Sequence, residues 1–187
     1  NNKIAEAQQA ALPAVTINAA FEKARDVDSF AVQLTKGQTL VAAFLGNDIL
    51  NSPMDAVLQI SNARGTVLAQ NNDDTSLDPR LTFTAPSDGT WYVRAFAFPS
   101  APNSTIAFAG GADYVYRLTL TTQPVVEHTT PVVKPPGDGE VTLNVHGWNI
   151  AAPTAALPAG SSTLDLGLAL PYSVPASDLP VVVESQL

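Results

Sequence analysis

The chain contains no cysteine at any of its 187 positions. Disulfides, thiolate zinc sites and cysteine nucleophiles are therefore excluded, while the compartment stays open. Charge is also scarce: 14% of residues are Asp, Glu, Lys or Arg, against roughly 25% in an average soluble domain. What charge there is leans acidic, 17 Asp and Glu against 9 Lys and Arg, for a net −8. No nucleic-acid partner is expected, because phosphate binding draws on clustered Lys and Arg. No apolar run reaches the roughly 18 residues of a membrane span, so no membrane insertion is expected. The opening NNKIAEAQQAALP lacks a charged segment leading into an apolar one. It reads as the start of a mature protein or of an excised piece of a longer one. Histidine occurs twice, as His128 and His146, with no H-E-x-x-H spacing, and there is no G-x-S-x-G elbow. The expectation is a protein that is not an enzyme.

What is plentiful is short alternating runs separated by turn residues. Phe30, Val32 and Leu34 alternate with Ala31 and Gln33, and Tyr116, Leu118 and Leu120 with Arg117 and Thr119. Such a period of two marks half-buried strands, and the β-branched and aromatic content agrees. Lys36-Gly37, Arg64-Gly65 and Asp88-Gly89 supply turns, since Gly and Asp tolerate the backbone angles that tight hairpins require. Strands are predicted near 15–20, 29–34, 39–45, 55–61, 66–70, 80–84, 90–98 and 113–121. Residues 3–11 are the helical candidate, too short to hold alone; one docked turn or an extended arm would suit them. Along 90–98, Tyr92 and Phe96 are assigned to the core and Trp91 to the opposite face.

Composition shifts near Thr122. Every Arg precedes it, and residues 124–187 hold 9 of the 15 Pro. The predicted organisation is an N-terminal arm and first strand over 1–20, a β-sandwich over 21–123, a Pro/Gly-rich linker over 124–139 and a small β-module over 140–187. In the module the run from Val141 reads as a strand with a turn at Gly147. Further alternating or apolar runs start at Ser162 and Asp178. The fold class is all-β: an eight-stranded antiparallel jelly-roll or β-sandwich plus a small C-terminal β-module.

Six phrases follow one another in order: DVDSF from Asp26, KGQ from Lys36, SPMDAVL from Ser52, NNDD from Asn71, TAPSDGTWY from Thr84 and DYVYRL from Asp113. Together they resemble the bacterial pre-peptidase C-terminal domain, over roughly residues 1–122. The segment after Thr122, with Gly147, Trp148 and Asn149, resembles a short immunoglobulin-like β-module. The resemblance implies a non-catalytic accessory, binding or spacer module of an exported multidomain bacterial protein. It places the chain outside the cell, on its surface or in the periplasm. The partners would be a polysaccharide or an extracellular protein, beside neighbouring domains of a longer chain. Two rivals stand beside it: a processing or chaperone-like segment of a secreted hydrolase, and a structural adhesin-type repeat.

The densest polar stretch is QNNDDTSLD. Asn72, Asp73, Asp74 and Asp78, joined by Asp55 and Asp28, could supply the oxygen ligands that Ca2+ prefers. A solvated loop whose Asp and Asn cap turns is the competing reading. Some relatives of the resembled family bind Ca2+ through an N-terminal arm together with loop carboxylates, and Asn1 and Asn2 match that arm. Asp26 and Asp28 flank Val27 and should point the same way, with Arg25 or Arg80 expected to pair with them. Trp91, if its face is exposed, and Phe108, in the long loop after Pro99, are the candidates for ligand binding.

Overall fold

The computed structural model describes residues 2–161 except 75, 104 and 105, together with 163–164, 181–182 and 184–185. The chain divides into two compact units, Asn1–Thr122 and Gln123–Leu187. In the first, a 3-10 turn at Ile4–Glu6 leads to a two-residue strand, β1 (Gln8–Gln9). Then follow β2 (Ala14–Ala20), β3 (Asp28–Leu34), β4 (Thr39–Leu45), a helical turn α1 (Asn47–Leu50), β5 (Met54–Ser61), β6 (Val67–Asn71), β7 (Arg80–Thr84), β8 (Gly89–Pro99) and β9 (Val115–Thr121). All eight expected strands are present. Residues 3–11 form both a docked turn and an extended arm: β1 runs parallel to β3, Gln8 opposite Phe30 and Gln9 opposite Ala31.

Two sheets result, in the orders β1-β3-β8-β5-β6 and β2-β9-β4-β7. Apart from the β1–β3 pair, their ladders are antiparallel. The core lies between the sheets. Phe30, Val32, Leu58, Ile60 and Val93 from the first meet Leu40, Ala42, Phe44, Leu118 and Leu120 from the second. The alternation read from the sequence is therefore the alternation of one buried and one outward face.

On β8 the faces are reversed from the sequence reading. Trp91, Val93, Ala95 and Ala97 point into the core, while Phe96 joins an outer cluster. Both faces of this strand carry apolar side chains, so periodicity alone could not choose between them. Trp91 settles inward because it meets the Phe83 ring at 5.0 Å.

In the second unit, β10 (Val125–Thr130), β12 (Val141–Trp148) and β13 (Thr154–Leu157) form an antiparallel sheet in the order β10-β12-β13, and β11 (Val133–Lys134) is a short strand between the first two. The stretch expected to be a linker is thus partly sheet. Val125 and Thr129 are buried between outward residues, and the flanking prolines punctuate that alternation without ending it. The turn expected at Gly147 is also absent: β12 runs through it opposite β10, whose register shifts between Val126 and His128. A Cβ on Gly147 would sit 1.9 Å from the Val125 carbonyl oxygen, and its φ is +152°. Glycine here permits a close approach of two backbones rather than a chain reversal. Leu143 and Leu157 are fully buried at the centre of this unit. The run from Ser162 lies outside the described residues except β14 (Thr163–Leu164), and that from Asp178 except β15 (Val181–Val182) and β16 (Glu184–Ser185).

Leu118 is fully buried on β9, paired with Ile17 of β2 and Phe44 of β4. Leu118→Ala should cost about 2–5 kcal/mol in denaturant unfolding of the first unit; a change within about 0.5 kcal/mol, the usual range of surface substitutions, would contradict this core assignment.

Candidate functional site

The six proposed Ca2+ ligands do not converge. Asp78 is buried and accepts hydrogen bonds from the backbone N–H groups of Gly46 (3.0 Å), Asn47 (2.8 Å) and Asp48 (3.1 Å). It thereby satisfies the first amides of α1, which helical hydrogen bonding leaves without partners. Asp74 pairs with Arg80 at 2.8 Å. Asn72 donates to Asp73 across 3.1 Å. Burial, and then the charge of Asp73, raises the Asp55 carboxyl above the usual range.

Strand geometry separates Asp28 from this group. Asp28 stands opposite Ala95, a core residue of β8, and Asp55 opposite Phe98, in the outer cluster. The two carboxylates lie on opposite faces of one sheet. Asn1 lies outside the described residues. Among the described residues, no three His, Cys, Asp or Glu side chains stand together as a preformed metal group.

Asp28 belongs to a different constellation. A cleft of about 700 Å³ opens where the arm meets the rim of the sandwich, lined by Asn2, Glu6 and Gln8 from the arm. Asn18, Glu22, Lys23, Asp26 and Asp28 line it from β2, β3 and the connection between them. Asp26 is buried and accepts the Glu22 backbone N–H at 2.8 Å. Asp28 accepts a short hydrogen bond from the Tyr116 hydroxyl. The arginine partners expected for the aspartate pair are thus replaced by a backbone amide and a phenol, and Arg80 is drawn to Asp74 instead.

The electrostatics follow from this packing. Burial raises the Asp28 pKa, the Tyr116 hydrogen bond opposes the rise, and the charges of Asp26 and Glu22 add to it. Burial, followed by the Asp28 charge, also pushes the Tyr116 phenol upward. Tyr116 is consequently a proton donor to Asp28 throughout the neutral range. The sequence showed the Asp-x-Asp doublet but not its partner, since Tyr116 sits 88 residues further on and reads there as ordinary core.

Trp91, the first candidate for an exposed binding residue, is 7% exposed and belongs to the core. Phe108 is partly buried. It stacks on Phe96 at 4.5 Å and meets Phe98 edge-on at 5.2 Å. With Val27 and Val57 these rings form a small apolar cluster on the outward face of the β1-β3-β8-β5-β6 sheet. Gly110, two residues on, passes so close to the β2–β3 connection that a Cβ would lie 2.2 Å from the Lys23 carbonyl oxygen. That contact anchors the loop bearing Phe108.

Residues 26–97 match the model of the bacterial pre-peptidase C-terminal domain. This stretch begins at the buried Asp26 and ends in β8. Residues 26–97 are a pre-peptidase C-terminal domain. Over 73 residues the chain is 33% identical to a probable subtilase-type serine protease of Deinococcus radiodurans. That alignment takes in 39% of this chain and 10% of the protease, so the chain spans about a tenth of that relative. Among solved structures, the pre-peptidase C-terminal domain of a Bacillus anthracis collagenase aligns with 62% of this chain and 93% of its own, at 11% identity and a TM-score of 0.43. PliG of Aeromonas hydrophila, a periplasmic inhibitor of g-type lysozyme, aligns with 62% and 94%, at 11% identity and a TM-score of 0.44.

In this pre-peptidase domain the NNDD loop is tied down by Asp78. Asp78→Ala would leave three backbone amides without their acceptor and should cost about 1–3 kcal/mol; unchanged urea unfolding would show that α1 does not depend on this cap.

Proposed function

We propose that the chain is a non-catalytic accessory module of an exported, protease-like multidomain protein. The observation that carries this reading is the pre-peptidase C-terminal match over 26–97, which coincides with the strands that build most of the sandwich core. The identity to a segment of a subtilase-type protease supports the same setting. Among the described residues no helix is long and apolar enough to cross a membrane. The strand orders β2-β9-β4-β7 and β3-β8-β5-β6, with β1 added at an edge, support reading the sandwich as a jelly roll. Its work would be to hold an extracellular protein or polysaccharide near the catalytic domain, and the partly exposed Phe98–Phe108 cluster is the surface offered for that contact. Deleting residues 1–122 from the full-length protein should leave cleavage of a short soluble peptide intact and reduce retention on an insoluble substrate. Loss of peptide cleavage would instead make the segment part of the catalytic or folding machinery.

For Ca2+ the arm cleft is proposed over the NNDD loop, as a site that the ion would assemble, because among the described residues its acids do not stand together as a preformed group either. Its lining is rich in oxygen donors, which suits a hard cation. Asp26 and Asp28 each commit one carboxylate oxygen to a protein donor; the other would face the ion, with the Asn2 amide and water completing the shell. An ion there would offset the mutual repulsion that helps raise the Asp28 pKa. It would also fasten the arm to the sandwich, and binding to the folded state alone raises stability by mass action. Millimolar Ca2+ should raise the melting midpoint in wild type and leave Asp28→Asn unmoved.

The metal-free comparison has a definite sign. A carboxyl whose folded pKa is raised contributes stability that is fully present below its unfolded pKa of 3.8 and is lost as pH rises through the folded value. In EDTA, Asp28→Asn should therefore melt higher than wild type at neutral pH, and the gap should close as pH falls through the carboxylate range. A Ca2+ response that survives in Asp28→Asn would remove the cleft from the account.

A further inference from the structure

The two histidines of the chain stand together in the second unit. His128 on β10 is in register with His146 on β12, and both side chains are exposed on the outward face of that sheet. The rings stack with centroids 4.5 Å apart and planes 12° from parallel. Each ring also has one nitrogen facing an oxygen. Nε2 of His146 lies 2.8 Å from the Thr130 hydroxyl. Nδ1 of His128 lies 3.7 Å from a Glu127 carboxylate oxygen. The pairing has a backbone cause: the register shift between Val126 and His128 puts one extra residue, Glu127, on β10. That irregularity gives Glu127 its place beside the ring it flanks.

We propose that His128 and His146 form a two-imidazole surface site for a borderline divalent transition-metal ion, Zn2+ or Cu2+. Neutral imidazole is a preferred ligand of these ions, whereas Ca2+ selects oxygen. An oxygen partner on the remote nitrogen of a ligating histidine fixes its tautomer and raises its basicity. Thr130 stands in that relation to His146 and leaves its Nδ1 to ligate, while the Glu127 carboxylate, 3.7 Å from Nδ1 of His128, favours Nε2 as the second ligand. Zinc–nitrogen bonds of about 2.0–2.1 Å in a tetrahedral shell place two ligating nitrogens about 3.3 Å apart. The stacked rings, both exposed and on facing strands, would turn out of their stack to aim one nitrogen each at a shared ion. Among the described residues no third His, Cys, Asp or Glu completes a preformed group with the pair, so water fills the remaining positions and the ion stays accessible. The site lies in the second unit and is independent of the arm cleft in the first.

The test exploits the histidine count. With two histidines in the whole chain, every imidazole signal in a proton NMR spectrum belongs to this pair. The tag-free chain is titrated with Zn2+ and, separately, with Ca2+ at neutral pH. Both imidazole sets should move together and saturate with Zn2+ and stay still with Ca2+. In His128→Gln and in His146→Gln the surviving ring should lose its response at the same Zn2+ concentration. The remaining spectrum of each variant reports that the fold is intact. If neither ring moves in wild type, or if the surviving ring responds in a single variant as it does in wild type, the pair is a stacked surface contact and the proposal fails.

Discussion

The hydrogen bond from Tyr116 to Asp28 joins the two sheets of the sandwich at one end. Tyr116 lies on β9 and Asp28 on β3, so the donor and acceptor come from opposite layers. Around the phenol, Phe21 and Phe44 stack at 4.7 and 4.8 Å. The three rings fill the end of the core, and the hydroxyl emerges from them toward the rim. A buried phenol needs a partner, and a partly buried carboxylate needs donors; each resolves the cost of the other. The arrangement also fixes where the Asp26–Asp28 segment runs. The arm cleft therefore inherits its shape from the packing of the core beneath it.

Much of the first unit could be read from residue order because its strands obey a period of two and are divided by Gly and Asp turns. Where the reading failed, the cause was local and physical. On β8 both faces are apolar, so Trp91 and Phe96 were exchanged between inside and outside. Over 124–139 the prolines outweigh the alternation of Val125 and Thr129, so residue order alone points to a linker where β10 runs. Gly147 looked like a turn because glycine allows one. Its use here is the narrow gap to the Val125 carbonyl, a feature visible only once the opposing strand is in place.

The candidate sites follow the same division. The acidic residues of 72–78 are close in sequence, and sequence proximity suggested a common purpose. The fold distributes them: Asp78 to the amides of α1, Asp74 to Arg80, and Asp73 beside Asn72 and within the field of Asp55. Conversely, the groups that do meet lie far apart along the chain. Glu6 from the arm shares a cleft with Asp28, and His128 lies directly across from His146. Strand register, rather than spacing along the chain, decides which side chains become neighbours.

The two-residue strand β1 has a consequence out of proportion to its length. It occupies the outer side of β3, where Gln8, Gln9 and the Ala10 amide meet the backbone of Phe30 and Ala31. Without it β3 would be a border strand carrying unsatisfied amides and carbonyls next to an apolar core, the kind of surface on which chains add to one another edge to edge. The arm thus acts as a selvedge that finishes the sheet. Cutting the chain after Gln9 would leave the sandwich core in place and yet create a protein disposed to self-associate.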